Sequence, residues 1–207
     1  MKWVLLGGGG HCRSCISVIE NLNQSVLGVL DKDANANTLG YPILGGDEWV
    51  EANSSKGDIL FLVTLGMIRS TSVRERIYSL LKRKNAEIGT LVAKSAVVSS
   101  SAIIGEGCMI MEQALVNSCS SVGVNSIVNS GSIVEHDVCV GAHTHVSTRA
   151  VINGGSIIGK RCLIGSGAIV LQNVRIGDDV TLGAGATAVK DIVEPGVWVG
   201  TPARRIK

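Results

Sequence analysis

The feature that most constrains this chain of 207 residues is a six-residue repeat in its C-terminal part. An aliphatic residue occupies every sixth position from 92 to 182, without an insertion. A helix repeats about every 3.6 residues and a plain strand every two, so a period of six fits neither. It fits one side of a triangular coil, in which a short strand is followed by a turn. The aliphatic positions are Val92, Val98, Ile104, Ile110, Val116, Val122, Val128, Val134, Val140, Val146, Ile152, Ile158, Ile164, Val170, Ile176 and Leu182.

Two further columns share this period. Two residues before the aliphatic position stands a residue that is nearly always small, and the residue after it is often Gly or Asn. We therefore predict a prism with aliphatic side chains inside, small residues at tight corners, and Gly or Asn supplying turn conformations. Cys108 and Cys162 belong to the small column and are predicted to be buried fillers. Three hexads make one coil of 18 residues, and residues 92–187 make about five coils.

Composition supports a thin, coiled structure and excludes some functions. No aromatic residue lies between positions 85 and 198, so this part has no rings to fill a wide core. The net charge is only +2 and no basic run occurs, which argues against nucleic acid as a partner. The longest apolar stretch, Ile59–Val63, is too short to cross a bilayer, and the N-terminus lacks a signal-peptide pattern. We therefore expect no membrane association and a cytoplasmic location.

The six cysteines are expected to be thiols in that compartment. Cys12 and Cys15 form a C-x-x-C pair, which can indicate a redox centre or half a zinc site. No second C-x-x-C occurs, and both residues lie at the start of a predicted helix. A structural role is therefore favoured, and no metal is expected.

The N-terminal segment predicts a small Rossmann-like α/β domain with a parallel sheet, over residues 1–85, before a β-helix domain over 86–207. Strands are predicted at 2–6, 26–30 and 58–65, and helices at 12–23 and 69–84. The glycines at 7–10 lie between a strand and a helix, where backbone N–H groups can bind a phosphate. Asp31 ends the next strand and is placed to meet a ribose hydroxyl. The third glycine of G-x-G-x-x-G is replaced, so a nicotinamide dehydrogenase is disfavoured; a simple tight turn remains the alternative.

Three of the four histidines lie within residues 134–146. His136 follows the inward Val134 by two residues, so its ring is predicted to face outward near a corner. An imidazole there can take a proton from an attacking amine or hydroxyl, with Glu135 or Asp137 orienting its other nitrogen. Gly154 stands one coil of 18 residues later, where its backbone N–H can stabilise a developing oxyanion.

Several motifs together give the chain a family resemblance. They are the Gly-Gly-Gly-Gly-His loop, Tyr41-Pro-Ile-Leu-Gly, Val134-Glu-His-Asp, His145-Val-Ser, Asn153-Gly and Val199-Gly-Thr-Pro-Ala. The chain resembles the hexapeptide-repeat acyltransferases, and within them the sialic acid O-acetyltransferase and bacillosamine N-acetyltransferase group. The resemblance implies a left-handed parallel β-helix, a homotrimer, acetyl-CoA as co-substrate, and a nucleotide sugar or sialic acid as acceptor.

The same resemblance implies roles for individual residues. His136 is the general base with Asp137 or Glu135 as its partner, His145 lies near the thioester, and the Gly154 N–H meets the carbonyl oxygen. The remaining binding residues are Gly8, Gly9, Gly10, His11 and Asp31 for the nucleotide sugar, Gly165, Ala168, Gly183 and Ala186 beside the pantetheine arm, and Arg204 or Arg205 at the CoA phosphates. One departure is Gly66-Met-Ile-Arg, where a more polar loop is expected; it leaves the nucleotide base open.

Three alternatives remain at this stage. A zinc site of the kind found in β-helix carbonic anhydrases needs histidines on corresponding faces of successive coils, and spacings of seven and two do not match 18. A non-catalytic sugar-nucleotide-binding protein would not need the Glu-His-Asp cluster. Among transferases, N-acetylation in bacterial surface glycan biosynthesis is favoured over O-acetylation of a sialic-type sugar, because an attacking amine loses only one proton to a single histidine.

Overall fold

The computed structural model describes residues 1–67 and 70–207. The chain divides into two compact units, Met1–Lys94 and Ser95–Lys207. Within the described residues, no helix has both the length and the apolar character that a membrane crossing requires. The two units are described in turn.

The N-terminal unit is a parallel four-stranded sheet with helices, as predicted. The strands follow the order β3-β2-β1-β4, so the chain runs outward from β1 to one edge before β4 pairs on the other side. Two elements were not predicted, β3 and α2, because both are too short to show a period. The predicted start of the last helix, at position 69, lies outside the described residues. The elements are β1 (Lys2–Leu6), α1 (Gly10–Asn21), β2 (Ser25–Leu30), β3 (Ile43–Gly45), α2 (Asp47–Asn53), β4 (Ile59–Val63), α3 (Ser72–Arg83) and β5 (Leu91–Val92).

Helix α1 explains the cysteine pair. Cys12, Cys15, Ile16 and Ile19 recur at helical spacing and are all 0% exposed, so they form the buried face of the helix. Neither cysteine forms a disulfide. Burial raises the pKa of the Cys12 thiol to about 11, which keeps it protonated at neutral pH.

The C-terminal unit is a left-handed parallel β-helix of two-residue strands. Each strand pairs in parallel with the strand 18 residues on, as Ser121 pairs with Cys139 and Ile127 with His145. The strands are β6 (Val97–Val98), β7 (Ile103–Ile104), β8 (Met109–Ile110), β9 (Leu115–Val116), β10 (Ser121–Val122), β11 (Ile127–Val128), β12 (Ile133–Val134), β13 (Cys139–Val140), β14 (His145–Val146), β15 (Val151–Ile152), β16 (Ile157–Ile158), β17 (Leu163–Ile164), β18 (Ile169–Val170), β19 (Arg175–Ile176), β20 (Val180–Leu182), β21 (Thr187–Ala188), β22 (Gly196–Val199) and β23 (Arg204–Arg205).

These strands form the three faces of the prism. One face has the order β19-β16-β13-β10-β7, and a second has the order β21-β18-β15-β12-β9-β6. The third runs β23-β22-β20-β17-β14-β11-β8 and ends in an antiparallel pair, β22 with β23. The aliphatic column fills the interior: Val116, Val134 and Val146 are each 0% exposed.

The corners correct one expectation about turn chemistry. The left-handed backbone conformation falls three residues after the aliphatic residue, not directly after it. The glycine directly after the aliphatic residue instead lets the next coil pack closely. A Cβ on Gly123 would lie 2.5 Å from the backbone nitrogen of Ala142 in the next coil. The corner residues with positive φ are Gly107, Gln113, Cys119, Asn125, Gly131, Asp137, His143, Arg149, Gly155, Arg161, Gly167, Asn173, Asp179 and Gly185.

The small column is buried and hydrogen-bonded along one edge of the prism. Ser126 Oγ donates to the Gly141 carbonyl at 3.0 Å, and Thr144 Oγ1 donates to the Gly159 carbonyl at 2.8 Å. The Cys162 thiol lies 3.0 Å from the Gly177 carbonyl, and its burial raises its pKa to about 11. The predicted interior position of Cys162 is confirmed by its 0% exposure.

Candidate active site

His136 stands on the turn that follows β12. Its Nδ1 lies 2.8 Å from Asp137 Oδ2, and 54% of its side chain is exposed. Because a carboxylate only accepts hydrogen bonds, Nδ1 carries the proton of the neutral ring and Nε2 presents a lone pair. The imidazole is therefore outward-facing, as predicted, and oriented so that Nε2 can accept a proton.

The two neighbouring carboxylates have different partners. Asp137 occupies a corner with φ of 60° and reaches the imidazole. Glu135 Oε2 instead accepts from Asn117 Nδ2 at 2.9 Å and from the His136 backbone N–H at 3.3 Å. Of the two carboxylates considered from sequence, Asp137 is the one bonded to the ring, and Glu135 holds the backbone of the turn.

Gly154 lies against the imidazole, one coil further on. A Cβ at Gly154 would be 2.6 Å from both Cε1 and Nε2 of His136, so only glycine leaves room for the ring. The next residue, Gly155, donates its N–H to the His136 carbonyl at 3.0 Å and ties the two coils together. The predicted stacking of His136 and Gly154 is present in the structure.

The other two histidines of the cluster have amide partners. Asn129 Nδ2 lies 3.0 Å from Nε2 of His145, and this histidine is only 7% exposed. Since an amide NH₂ only donates, His145 Nε2 accepts and Nδ1 carries its proton. His143 is half-buried and has Asn125 Nδ2 2.9 Å from its Nδ1. Within residues 1–67 and 70–207, no three His, Cys, Asp or Glu side chains cluster as a metal site would require.

The turns proposed for pantetheine expose different residues from those named. Ala168 and Ala186 point into the prism and are 0% exposed in this chain, so their side chains are not on its surface. Gly165 packs so tightly that a Cβ would lie 2.6 Å from the Ala184 nitrogen. The exposed positions of these turns are Ser166, Gly167, Ala184 and Gly185.

The C-terminal arginines are exposed on β23. Arg205 pairs with Glu194 at 3.3 Å, whereas the Arg204 guanidinium donates to the Ala203 carbonyl at 3.0 Å. Arg204 lines a pocket of about 230 Å³ that also contains Lys190 and Trp198. The carboxylates of Asp191 and Glu194 also line this pocket, so Lys190 and Arg204 are the groups that an anionic ligand could contact, and the Trp198 indole could stack on an aromatic one.

The glycine loop and Asp31 meet at the carboxyl ends of β1 and β2. Gly8 donates its N–H to Asp31 Oδ2 at 2.5 Å, so the carboxylate braces the loop. Gly9 is the N-cap of α1, Gly10 is its first residue, and both are exposed. His11 follows in the helix and is half-buried.

A pocket of about 370 Å³ opens beside this loop. It lies at the carboxyl ends of the strands, near the point where the strand order reverses between β1 and β4. Parallel α/β sheets bind ligands at this position. Its charged lining combines Asp31 and Lys32 with the ion pair of Asp47 and Arg76, whose atoms are 2.5 Å apart. Asp47 was missed from sequence because the short helix α2 was not predicted, whereas Lys32 and Arg76 belong to predicted parts of the chain whose packing around one pocket the sequence does not show. Ile68 and Arg69, part of the loop that left the base open, lie outside the described residues.

Sequence reasoning also missed three asparagines near the histidines. Asn117, Asn129 and Asn153 each directly follow an aliphatic residue and were assigned to turns. Asn117 bonds to Glu135, Asn129 bonds to His145, and Asn153 bonds to the Val170 carbonyl. Counting 18 residues from Asn117 leads to Glu135 and then to Asn153, so the coil period contained the signal.

A Rossmann-like unit followed by a hexapeptide-repeat β-helix, with an outward histidine oriented by a carboxylate, defines a hexapeptide-repeat acyltransferase. Comparison with known proteins agrees. Residues 2–81 match the PglD N-terminal domain, and residues 155–188 match the bacterial transferase hexapeptide (six repeats) family.

Individual relatives are sugar N-acetyltransferases. UDP-N-acetylbacillosamine N-acetyltransferase of Bacillus subtilis (strain 168) is 32% identical over 116 residues, which are 52% of this chain and only half (50%) of that enzyme. The PglB acetyltransferase domain of Neisseria gonorrhoeae FA1090, solved with acetyl coenzyme A, is 30% identical with a TM-score of 0.93, covering 99% of this chain and 98% of that one. PerB of Caulobacter crescentus, solved with CoA and GDP-perosamine, is 29% identical with a TM-score of 0.93, covering 100% of this chain and 98% of that one. The chain belongs to the family of hexapeptide-repeat sugar N-acetyltransferases that carry a PglD-type N-terminal domain.

Proposed function

We propose that this protein transfers the acetyl group of acetyl-CoA to the amine of a nucleotide-activated amino sugar. The observation that carries the proposal is the Asp137–His136–Gly154 arrangement, in which the carboxylate bonds to Nδ1 of the imidazole and the Gly154 backbone packs against the ring edge that carries Nε2. The relatives solved with acetyl coenzyme A or with CoA and GDP-perosamine support both substrates.

In the proposed reaction, the sugar amine attacks the thioester carbonyl and gives its proton to His136 Nε2. The new C–N bond forms, the C–S bond breaks, and CoA leaves as a thiol after taking up the proton. Asp137 stabilises the imidazolium that forms transiently. The Gly154 N–H faces the carbonyl oxygen as its negative charge develops. His145, fixed by Asn129 with its proton on Nδ1, is proposed to donate near the acetyl group.

The binding residues are assigned by unit. In the N-terminal unit, the pocket beside Gly8, Gly9, Gly10, His11 and Asp31 is proposed to hold the nucleotide, with Lys32 and Arg76 offering cations to its phosphates. In the β-helix, the exposed turns after β17 and β20 are proposed to flank pantetheine. Arg204, beside Trp198 and Lys190, is proposed to meet the CoA nucleotide.

The β-helix is proposed to assemble as a homotrimer. The outer face of the sheet that contains β12 presents an aliphatic column, of which Val97 is 62% and Ile169 37% exposed in the single chain. A continuous apolar column on a surface is typical of a protein–protein interface. The column consists of Val97, Leu115, Ile133, Val151 and Ile169.

The proposed compartment is the cytoplasm, and the proposed pathway is bacterial surface glycan biosynthesis. None of the six cysteines forms a disulfide, and disulfides are rare in the reducing cytoplasm. The supply of acetyl-CoA and nucleotide sugars from cellular metabolism is consistent with this location.

The deciding experiment is product analysis by mass spectrometry. The protein is incubated with acetyl-CoA and a panel of amino sugars on different nucleoside diphosphates, with sialic acids alongside. Acetylation of an amino sugar, reduced about a thousandfold in His136→Ala, is the expected result. His143→Ala is the matched histidine control and should retain activity. Acetylation of sialic acids alone would favour O-transfer, and no product together with no acetyl-CoA effect on Tm would indicate a binding protein.

A further inference from the structure

At four corners of the β-helix, the residue after the aliphatic position is Asn or Glu, whose side-chain oxygen can accept a backbone N–H. At three such corners, a side-chain oxygen of this residue accepts the N–H of the residue that follows it. This N–H is not part of the hydrogen-bond ladder between coils, so the side chain is its acceptor. The pairs are Asn117 with the Ser118 N–H at 2.8 Å, Asn129 with the Ser130 N–H at 2.8 Å, and Glu135 with the His136 N–H at 3.3 Å.

Asn153 departs from this pattern directly beside the imidazole. Its Nδ2 donates to the Val170 carbonyl at 2.7 Å, so the side chain is turned toward the next coil. A carbonyl only accepts, which fixes the NH₂ end of the amide on that side. The flanking backbone groups have partners, because Asn153 N–H donates to Val170 and Gly155 N–H donates to His136. Gly154 N–H has no acceptor anywhere in the described part of the chain.

The Gly154 backbone lies where the proposed acyl transfer would need a hydrogen-bond donor. Gly154 is buried, and it lies against the imidazole edge that carries Nε2. A buried N–H without an internal acceptor is costly, and proteins retain few of them. The carbonyl oxygen of a thioester attacked beside Nε2 would be its natural acceptor.

We infer that Asn153 is a positioning residue that keeps the Gly154 N–H available for the oxyanion. By donating to the Val170 carbonyl, Asn153 holds its own oxygen away from an N–H that the equivalent side chains cover at other corners. The inference rests on the proposed acetyl transfer and adds a residue that does not itself touch the substrate.

Two substitutions of Asn153 distinguish its positioning role from a role in packing alone. Asn153→Asp cannot donate to Val170, so its carboxylate is expected to turn and accept the Gly154 N–H, as Glu135 accepts the His136 N–H. We expect kcat to fall about a hundredfold, the usual loss for one oxyanion donor, with little change in the KM for acetyl-CoA. Asn153→Ala also loses the Val170 bond but leaves the N–H open, so kcat should fall less than about tenfold.

Two controls complete the test. The Tm of both variants is measured, because a merely structural role would lower stability and activity similarly in both. The pH dependence of kcat is measured, because Asn153→Asp also introduces a negative charge near the imidazole. If the carboxylate covers the Gly154 N–H, the loss of kcat in Asn153→Asp should persist at the alkaline plateau of the pH profile.

The outcomes distinguish the inference from the proposed function. Equal kcat losses in the two variants, or recovery of Asn153→Asp at high pH, would overturn the role of Asn153 while leaving acetyl transfer intact. A wild-type protein that acetylates nothing on the panel would instead overturn the proposed function itself.

Discussion

The two units of this chain pack their interiors in different ways. The N-terminal unit buries large side chains such as Trp3 and Phe61 between a sheet and helices. The β-helix has no aromatic interior residue and repeats one small cross-section, each coil contacting the coils next to it. In the first unit, residues from distant segments of the chain line one pocket. In the second unit, residues that are one coil apart in the sequence lie side by side.

This difference decides how far the sequence could predict each site. The stacking of Gly154 on His136 follows from counting 18 residues. The pocket proposed for the nucleotide could not be found this way, because Asp47 and Arg76 reach it from elements that tertiary packing brings together. A strand of three residues such as β3 has too few positions to show alternation, so its existence depends on pairing with β2. Asn153 was visible as a position in the repeat, but the direction of its side chain was not.

Of the substitutions that compare the two units, Gly154→Ala should have the largest effect, and this effect is on activity. The added Cβ would lie 2.6 Å from the imidazole, so the ring must move away from its productive position. We expect kcat to fall about a hundredfold, as for a displaced catalytic group, with an unchanged Tm. Steady-state kinetics with a thermal melt would check this. Gly57→Ala, in open space in the other unit, is the matched control and should change neither quantity.

The next effect is on stability and tests the spacing of the coils. A Cβ on Gly123 would meet backbone atoms of the next coil at 2.5 Å, and backbone cannot rotate away as a side chain can. Gly123→Ala should therefore lower the free energy of unfolding by about 2 kcal/mol or more, measured by chemical denaturation. A loss no greater than that of Gly57→Ala would show that the coils can separate to admit a methyl group.

Thiol labelling compares the interiors of both units at once. Cys12 and Cys162 are buried, and burial raises both pKa values to about 11, so few thiolates form at neutral pH. Cys119 and Cys139 are exposed. An alkylating reagent followed by peptide mass spectrometry should modify the exposed pair quickly and the buried pair only after unfolding. Fast labelling of Cys162 in the native protein would mean that the prism opens readily.

The smallest expected effect concerns one corner near the end of the prism. Arg161 bonds to Asp179 at 2.7 Å, which lowers the pKa of that carboxyl below its ordinary value. A lowered pKa in the folded state stabilises the fold above the unfolded pKa of about 4, and this contribution disappears as pH falls through the folded value. Because 48% of the Asp179 side chain and 31% of the Arg161 side chain are exposed, solvent weakens the pair, and Arg161→Gln should lower Tm only slightly at neutral pH and not at all in strong acid. A gap that widens on acidification would contradict this assignment.

The fourteen corner positions with positive φ carry glycine, asparagine, aspartate, histidine, arginine, glutamine and cysteine in one backbone conformation. Most side chains at these positions are exposed or half-buried, so their chemistry can change while the coil beneath them stays the same. Asp137 and Cys119 occupy equivalent places one coil apart, yet one bonds to the His136 imidazole and the other is an exposed thiol. Such a scaffold allows new chemistry to arise through single substitutions. Two residues one coil apart already lie side by side before either of them has a function.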